Sequence, residues 1–263
     1  MSETDITLAD QIPRVEILDV QVSAVNMDMA LGAIEEWLQS RNHNFVCCTS
    51  VNGVLAAQDD RRLVGIYRRA GLVTPDGMPL AWIARARGYK HVRRVYGPEL
   101  MLAICDRFRE QGVRHYLYGG AEGVPELLSR RLQDRFPGLQ VVGAYSPPFR
   151  KLTEVERLQD VERINESSAD IVWVGLGAPK QDLWMAENVG RIEAPVLMGV
   201  GAAFDFHAGL KRQAPQLMRR TGLEWLFRLL AEPRRLARRY IVGNPRFLGL
   251  VAAEEIRRRR ARI

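Results

Sequence analysis

His115-Tyr116-Leu117-Tyr118-Gly119-Gly120-Ala121-Glu122-Gly123 runs into Pro125-Glu126-Leu127-Leu128, and this stretch decides the fold. It reads as a short apolar strand, a glycine-rich turn and the opening of a helix. Amphipathic spacing carries the helix through 136, and a second apolar strand follows over 139–144. Strand, turn, helix and strand in roughly 30 residues make a βαβ unit. The same alternation extends both ways. Downstream come the Ser146-Pro147-Pro148 loop, a helix over 154–167, a strand over 171–174, a helix over 181–188 and a strand over 196–200. Upstream, 14–25 is a strand or a pair of short strands, 27–40 is helical and 44–49 is extended. A helix capped by Asn52 and a helix over 63–70 follow, then extended Leu72-Val73 and helices over 78–87 and 99–110. Apolar strands alternating with helices predict an α/β fold: a Rossmann-like parallel sheet with helices on both faces and right-handed crossovers. Ligands belong at the carboxyl ends of such strands.

The chain has 263 residues, enough for one large domain or one domain with an appendage. No apolar run reaches the roughly 18 residues of a membrane span. The first ten residues carry Glu3, Asp5 and Asp10 and no basic residue, which is not the pattern of a secretory signal. Cys47, Cys48 and Cys105 make no disulfide framework, and free thiols in apolar settings point to a reducing cytoplasm.

The net charge of +7 is unevenly spread. Residues 211–263 hold 15 Lys and Arg against four Glu, whereas 1–210 hold 23 basic and 27 acidic residues. Composition also changes after Gly209, with helices over 215–220, 223–231, 233–241 and 247–260, and Pro233 and Pro245 suited to first turns. The chain therefore divides into a body, 1–210, and a basic helical appendage, 211–263. Arg234 and Arg238 are i,i+4 neighbours, as are Arg235 and Arg239, with Leu236, Ala237, Tyr240 and Ile241 alongside. Such helices suit either an anionic membrane surface or packing on a core with a solvated basic face.

Chemistry concentrates at the expected strand ends. In Val73-Thr74-Pro75-Asp76-Gly77-Met78-Pro79, Pro75 and Gly77 hold Asp76 at the tip of a strand-to-helix turn. A carboxylate there serves either as general base toward a substrate hydroxyl or as cap of the helix from Met78. Arg94, before Val95-Tyr96-Gly97-Pro98, is placed to bind a diphosphate or to lie solvated beside Arg93. Gly119, Gly120, Gly177 and Gly201 sit at further strand ends, where they suit a nucleotide in series and ordinary turns singly. Gln181 offers a donor and an acceptor, and Asp205 and His207 follow the last strand. The sequence has no D-x-D, H-E-x-x-H, C-x-x-C, G-x-S-x-G, complete G-x-G-x-x-G or P-loop. A bound metal is not expected.

Five blocks carry a resemblance. They are Thr49-Ser50-Val51-Asn52, Thr74-Pro75-Asp76-Gly77, Arg94-Val95-Tyr96-Gly97, the run from Gly175 to Gln181, and the run from Gly199 to Gly209. The last continues to Gly222-Leu223-Glu224-Trp225 and Glu232-Pro233-Arg234-Arg235. From about Arg14 to Phe247 the chain resembles the WecG/TagA/CpsF family of bacterial glycosyltransferases. The resemblance implies inverting, metal-independent transfer of a sugar from a UDP-sugar to a polyprenyl-diphosphate-linked acceptor, in surface-polysaccharide assembly at the cytoplasmic face of the membrane. It implies no cofactor, the UDP-sugar being a substrate, and an anionic membrane surface as partner; a homo-oligomer is compatible with it. It makes Asp76 the general base, sets Arg94 near the donor diphosphate, and gives binding roles to Thr49 (or Ser50 with the register shifted by one), Asn52 and Gln181. From the appendage it draws Arg228, Arg235 and Arg238 over the site. Asp182 stands where the family has glutamate. The rival from composition alone is a non-catalytic nucleotide- or nucleic-acid-binding protein using the basic tail, although the aromatic–basic interleaving of single-strand binders is missing.

Overall fold

The computed structural model describes residues 8–261. The acidic N-terminal stretch read above as no secretory signal falls largely outside them. The described residues open with α1 (Leu8–Gln11), β1 (Arg14–Ile17), β2 (Val20–Ser23), α2 (Met27–Ser40) and β3 (Asn44–Thr49). Next come α3 (Val51–Asp59), α4 (Arg62–Arg69), β4 (Leu72–Pro75), α5 (Met78–Ala86) and α6 (Gly97–Phe108). The βαβ core adds β5 (Arg114–Gly119), α7 (Val124–Arg135), β6 (Gln140–Tyr145), α8 (Glu154–Glu166), β7 (Ile171–Gly175), α9 (Lys180–Asn188), β8 (Val196–Gly199) and α10 (Ala203–His207). The appendage holds α11 (Gln216–Arg220), α12 (Glu224–Ala231), α13 (Pro233–Ala237), a π-helical turn (Arg238–Val242) and α14 (Gly243–Arg260).

Six strands form one parallel sheet in the order β4-β3-β8-β7-β5-β6. Their side chains alternate between two cores. Phe45, Cys47, Tyr116, Tyr118, Val172, Val174 and Leu197 join the core under the hairpin, α3, α4, α5 and α9. Val46, Leu117, Ile171, Trp173, Val196 and Met198 join the core under α2, α6, α7 and α10. Burial on both faces is why the strands read as continuous apolar runs. The 14–25 segment is a hairpin, β1 to β2, whose turn residues Leu18 and Asp19 have φ of 49° and 65°. Two positive φ values give the twist that a two-residue hairpin needs. The hairpin covers the β4 edge: Val73 N–H donates to Ser23 Oγ at 3.0 Å. Arg14 donates to the carbonyls of Tyr67, Ala70 and Gly71 at 3.2, 2.6 and 2.9 Å.

Neighbouring strands β3 and β8 send the chain to opposite faces, into α3 and α10, which opens a crevice at their carboxyl ends. The appendage closes over that crevice and returns along α3, with Phe247 buried in the core. Arg87, at the end of α5, is buried and ion-paired with Glu254 and Glu255 of α14, and Arg246 pairs with Asp59. Leu236 and Tyr240, expected on a surface-seeking face, are instead buried, because α13 packs inward.

Candidate active site

Asp76 extends the ladder beyond β4. Its N–H donates to the Thr49 carbonyl at 2.9 Å, while Val95 N–H donates to the Pro75 carbonyl at 3.1 Å. The turn is thus held from both sides. Asp76 does not cap α5, whose N-cap is Gly77. Its Oδ1 accepts from Gly97 N–H at 2.7 Å, at the start of α6, where an unpaired N–H and the helix dipole favour an anion. The carboxylate is half-buried and borders a cavity of about 380 Å³ roofed by the appendage. Burial raises its pKa to about 6; Arg94, the Gly97 N–H and Arg228 pull it down, and Glu224 pushes it up. A carboxylate with a pKa near 6 suits proton abstraction near neutral pH.

Arg94, expected near the donor diphosphate, borders the same cavity and is engaged by protein groups. Its Nε donates to the Asp76 carbonyl, Nη1 to the Arg219 carbonyl at 3.3 Å and Nη2 to the Glu224 carboxylate. Its plane lies 3.9 Å over the Tyr96 ring, and Tyr96 OH donates to the other Glu224 oxygen at 2.8 Å. Each nitrogen is engaged inside the protein. The guanidinium ties the Asp76 turn to α12, since Glu224 is delivered to it by the appendage.

Asn52, Ser50 and Arg228 line the cavity with Asp76. Thr49 does not: it is buried, with Oγ1 donating to the Cys47 carbonyl at 3.4 Å. The hydroxyl at the cavity is Ser50's. Ser50 is the N-cap of α3 with no side-chain cap bond, so Asn52 falls in the first turn instead of at the cap. Arg235 pairs with Glu232, and Arg238 is exposed. Arg239 lines the cavity instead. The helical path breaks at Glu232 and passes through the π turn, which sets Arg239 and not Arg238 on the cavity.

The second group of candidates lies at the ends of β5, β7 and β8. Gln181 is buried, and its Oε1 accepts from Gly177 N–H at 3.1 Å. A Cβ on Gly119 would stand 2.8 Å from the Gly175 backbone, and one on Gly120 would stand 3.2 Å from Val124. At Gly201 the neighbour is the Gln181 side chain at 3.3 Å. Packing demands glycine at Gly119, and φ of +79° and +50° favours it at Gly120 and Gly201. Gly177, with φ +76° and nothing within 4 Å, faces open space. Asp205 is ion-paired with Lys211 at 2.8 Å. His207 donates to the Pro98 carbonyl at 2.8 Å, and burial lowers its pKa. Asp182 lies in the core accepting from Tyr67 OH at 3.1 Å, away from the cavity. Arg228 links the two groups, with its guanidinium 5.8 Å over the Phe206 ring beside Asp205.

Among the described residues, no group of three or more His, Cys, Asp and Glu could hold a metal ion. Among the same described residues, no helix is long and apolar enough to cross a membrane. The model of the glycosyl transferase WecG/TagA/CpsF family matches residues 15–261, sheet and appendage alike. The chain belongs to this family of glycosyltransferases. It is similar to N-acetylglucosaminyldiphosphoundecaprenol N-acetyl-beta-D-mannosaminyltransferase of Bacillus spizizenii, at 27% identity over 76% of this chain and 75% of that one. The Staphylococcus aureus protein of the same name is 26% identical over 86% of this chain and 87% of its own. Within this glycosyltransferase, sequence reasoning missed Glu224 and Arg239 as site residues. Glu224 carried a signal, standing as the first acid in an otherwise basic appendage.

Proposed function

We propose that this glycosyltransferase moves a hexosyl or N-acetylhexosaminyl group from a UDP-sugar to a saccharide on polyprenyl diphosphate, with inversion and without a metal. The observation that carries the reading is Asp76. It is a carboxylate poised near pH 6 on a cavity shared with the guanidinium of Arg228. Asp76 takes the proton of the acceptor hydroxyl as that oxygen attacks the anomeric carbon. The bond to UDP breaks on the opposite face, and UDP departs with the bonding electrons. Arg228 and backbone N–H groups at the strand ends, with Gly177 the open approach, stabilise the charge that develops. The acceptor class is supported by the names of the two relatives, which act on a diphosphoundecaprenol-linked sugar. Association with an anionic membrane surface is supported by the outer appendage, where Leu217, Leu230, Ile241 and Val242 are exposed beside Arg234, Arg235 and Arg238.

The test is a screen of UDP-sugars with a short-chain prenyl-diphosphate-linked acceptor, run in EDTA, with the product anomer read by NMR and vesicle pelleting run in parallel. Transfer with inversion, undiminished by EDTA, is expected, together with pelleting on anionic but not neutral vesicles. Transfer from no UDP-sugar, loss in EDTA or retained configuration would each sink the corresponding part. The base works only when ionised. Its pKa is raised to about 6, so kcat/KM should be flat above neutrality and fall about tenfold per unit as pH drops below that value. A rate independent of pH between 5 and 7 would remove Asp76 from the proton transfer.

A further inference from the structure

The cavity beside Asp76 has two unlike walls. One is cationic. Arg228 and Arg239 both border it, and Arg239 Nε is buried with no hydrogen-bond partner. The appendage's acids are engaged elsewhere: Glu224 with Arg94, Glu232 with Arg235 and Lys211, and Glu254 and Glu255 with Arg87. Two neighbouring guanidiniums thus share a partly desolvated space with the Asp76 carboxyl, and burial disfavours the Arg239 cation. Such a pair is complementary to a polyanion. The other wall is apolar and open to solvent. Trp82 is 46% exposed and Leu248 65%, and Leu223 and Trp225 lie beside them on the same cavity. Aromatic and aliphatic side chains left exposed around a cavity mark a place where apolar ligand surface is buried. A UDP-sugar, polar from end to end, uses the first wall and wastes the second. A diphosphate joined to a hydrocarbon uses both.

We propose that Arg239 grips the diphosphate of the lipid-linked acceptor, leaving Arg228 to the donor, and that the Trp82–Leu223–Trp225–Leu248 wall takes the first isoprene units of its carrier. This rests on the acceptor class proposed above. The sugar nearest the diphosphate then lies toward Asp76 in the same cavity. The appendage thereby selects the acceptor by its lipid, and the donor keeps the strand ends past Phe206.

Calorimetric titration of the full chain with farnesyl diphosphate below its micelle concentration, inorganic diphosphate and UDP tests this without turnover. Farnesyl diphosphate should bind at least about tenfold more tightly than inorganic diphosphate. Arg239→Gln should weaken farnesyl diphosphate by about tenfold or more and leave UDP within about twofold. Leu248→Gln, at an exposed position, should reduce the advantage of farnesyl over inorganic diphosphate and leave inorganic diphosphate itself unchanged. Equal loss of UDP and farnesyl diphosphate in Arg239→Gln would assign this cation to the donor and overturn the proposal. So would farnesyl diphosphate binding no more tightly than inorganic diphosphate, or a farnesyl advantage untouched by Leu248→Gln. A failed transfer assay would strike the proposed chemistry and leave this binding result standing.

Discussion

Asp76→Asn is expected to lower kcat by about 10²–10⁴, the range that a positioned general base supplies, while leaving the KM for either substrate little changed. The variant separates two roles that the carboxylate holds together. The asparagine Oδ1 can still accept the Gly97 N–H, so the start of α6 stays satisfied. It cannot take a proton. It also removes a charge that burial disfavours, as the raised pKa of Asp76 shows, so the melting temperature should hold or rise. Asp76→Ala removes the acceptor as well and leaves the Gly97 N–H unpaired, so it should lose activity and about 1–3 kcal/mol of stability. Initial rates and thermal melts of both variants decide the matter. Near wild-type turnover in Asp76→Asn would leave the residue a helix cap and nothing more.

The sheet was legible because its strands are buried on both faces, and burial of that kind writes itself into sequence as uninterrupted apolar runs. The Asp76 turn was legible because Pro75 and Gly77 announce a turn by their own backbone chemistry. What the turn serves was not. Asp76 caps α6, whose N–H is brought to it across the fold, and not the helix that follows it in sequence. Arg94 looked free for the same reason: its partner Glu224 lies 130 residues on. The register between Thr49 and Ser50 depends on a single residue, which in a strand decides between core and cavity. The sequence leaves that choice open, and in the fold Thr49 is buried while Ser50 borders the cavity. The resemblance points to Arg238, whereas the π turn that follows α13 sets Arg239 on the cavity and leaves Arg238 exposed. By sequence, Gly119 and Gly120 suit the approach of a ligand to the backbone. The space beside them is filled by Gly175, Val124 and Phe204, contacts that only a folded chain creates.

The tie between body and appendage predicts the second large effect. Glu224→Ala leaves the Arg94 guanidinium without its carboxylate and Tyr96 OH without its acceptor, both in a largely buried setting. Breaking a buried ion pair from one side costs about 3–5 kcal/mol. The loss falls on docking of α11 and α12, because the pair joins these helices to the Asp76 turn and the sheet keeps its own cores. Hydrogen exchange should therefore speed up over 216–231 and remain slow in β3, β7 and β8. Activity should fall by more than about tenfold, since α12 carries Arg228 and the chain beyond it carries Arg239. Glu224→Gln, which keeps an acceptor for Tyr96 OH, should lie between. The pH profile gives a further readout. Glu224 raises the pKa of Asp76, so its removal lowers that pKa, and the acid limb of the residual activity should move below pH 6. An acid limb that stayed in place, with exchange over 216–231 unchanged, would mean that the appendage is held over Asp76 by something other than the Arg94–Glu224–Tyr96 contact.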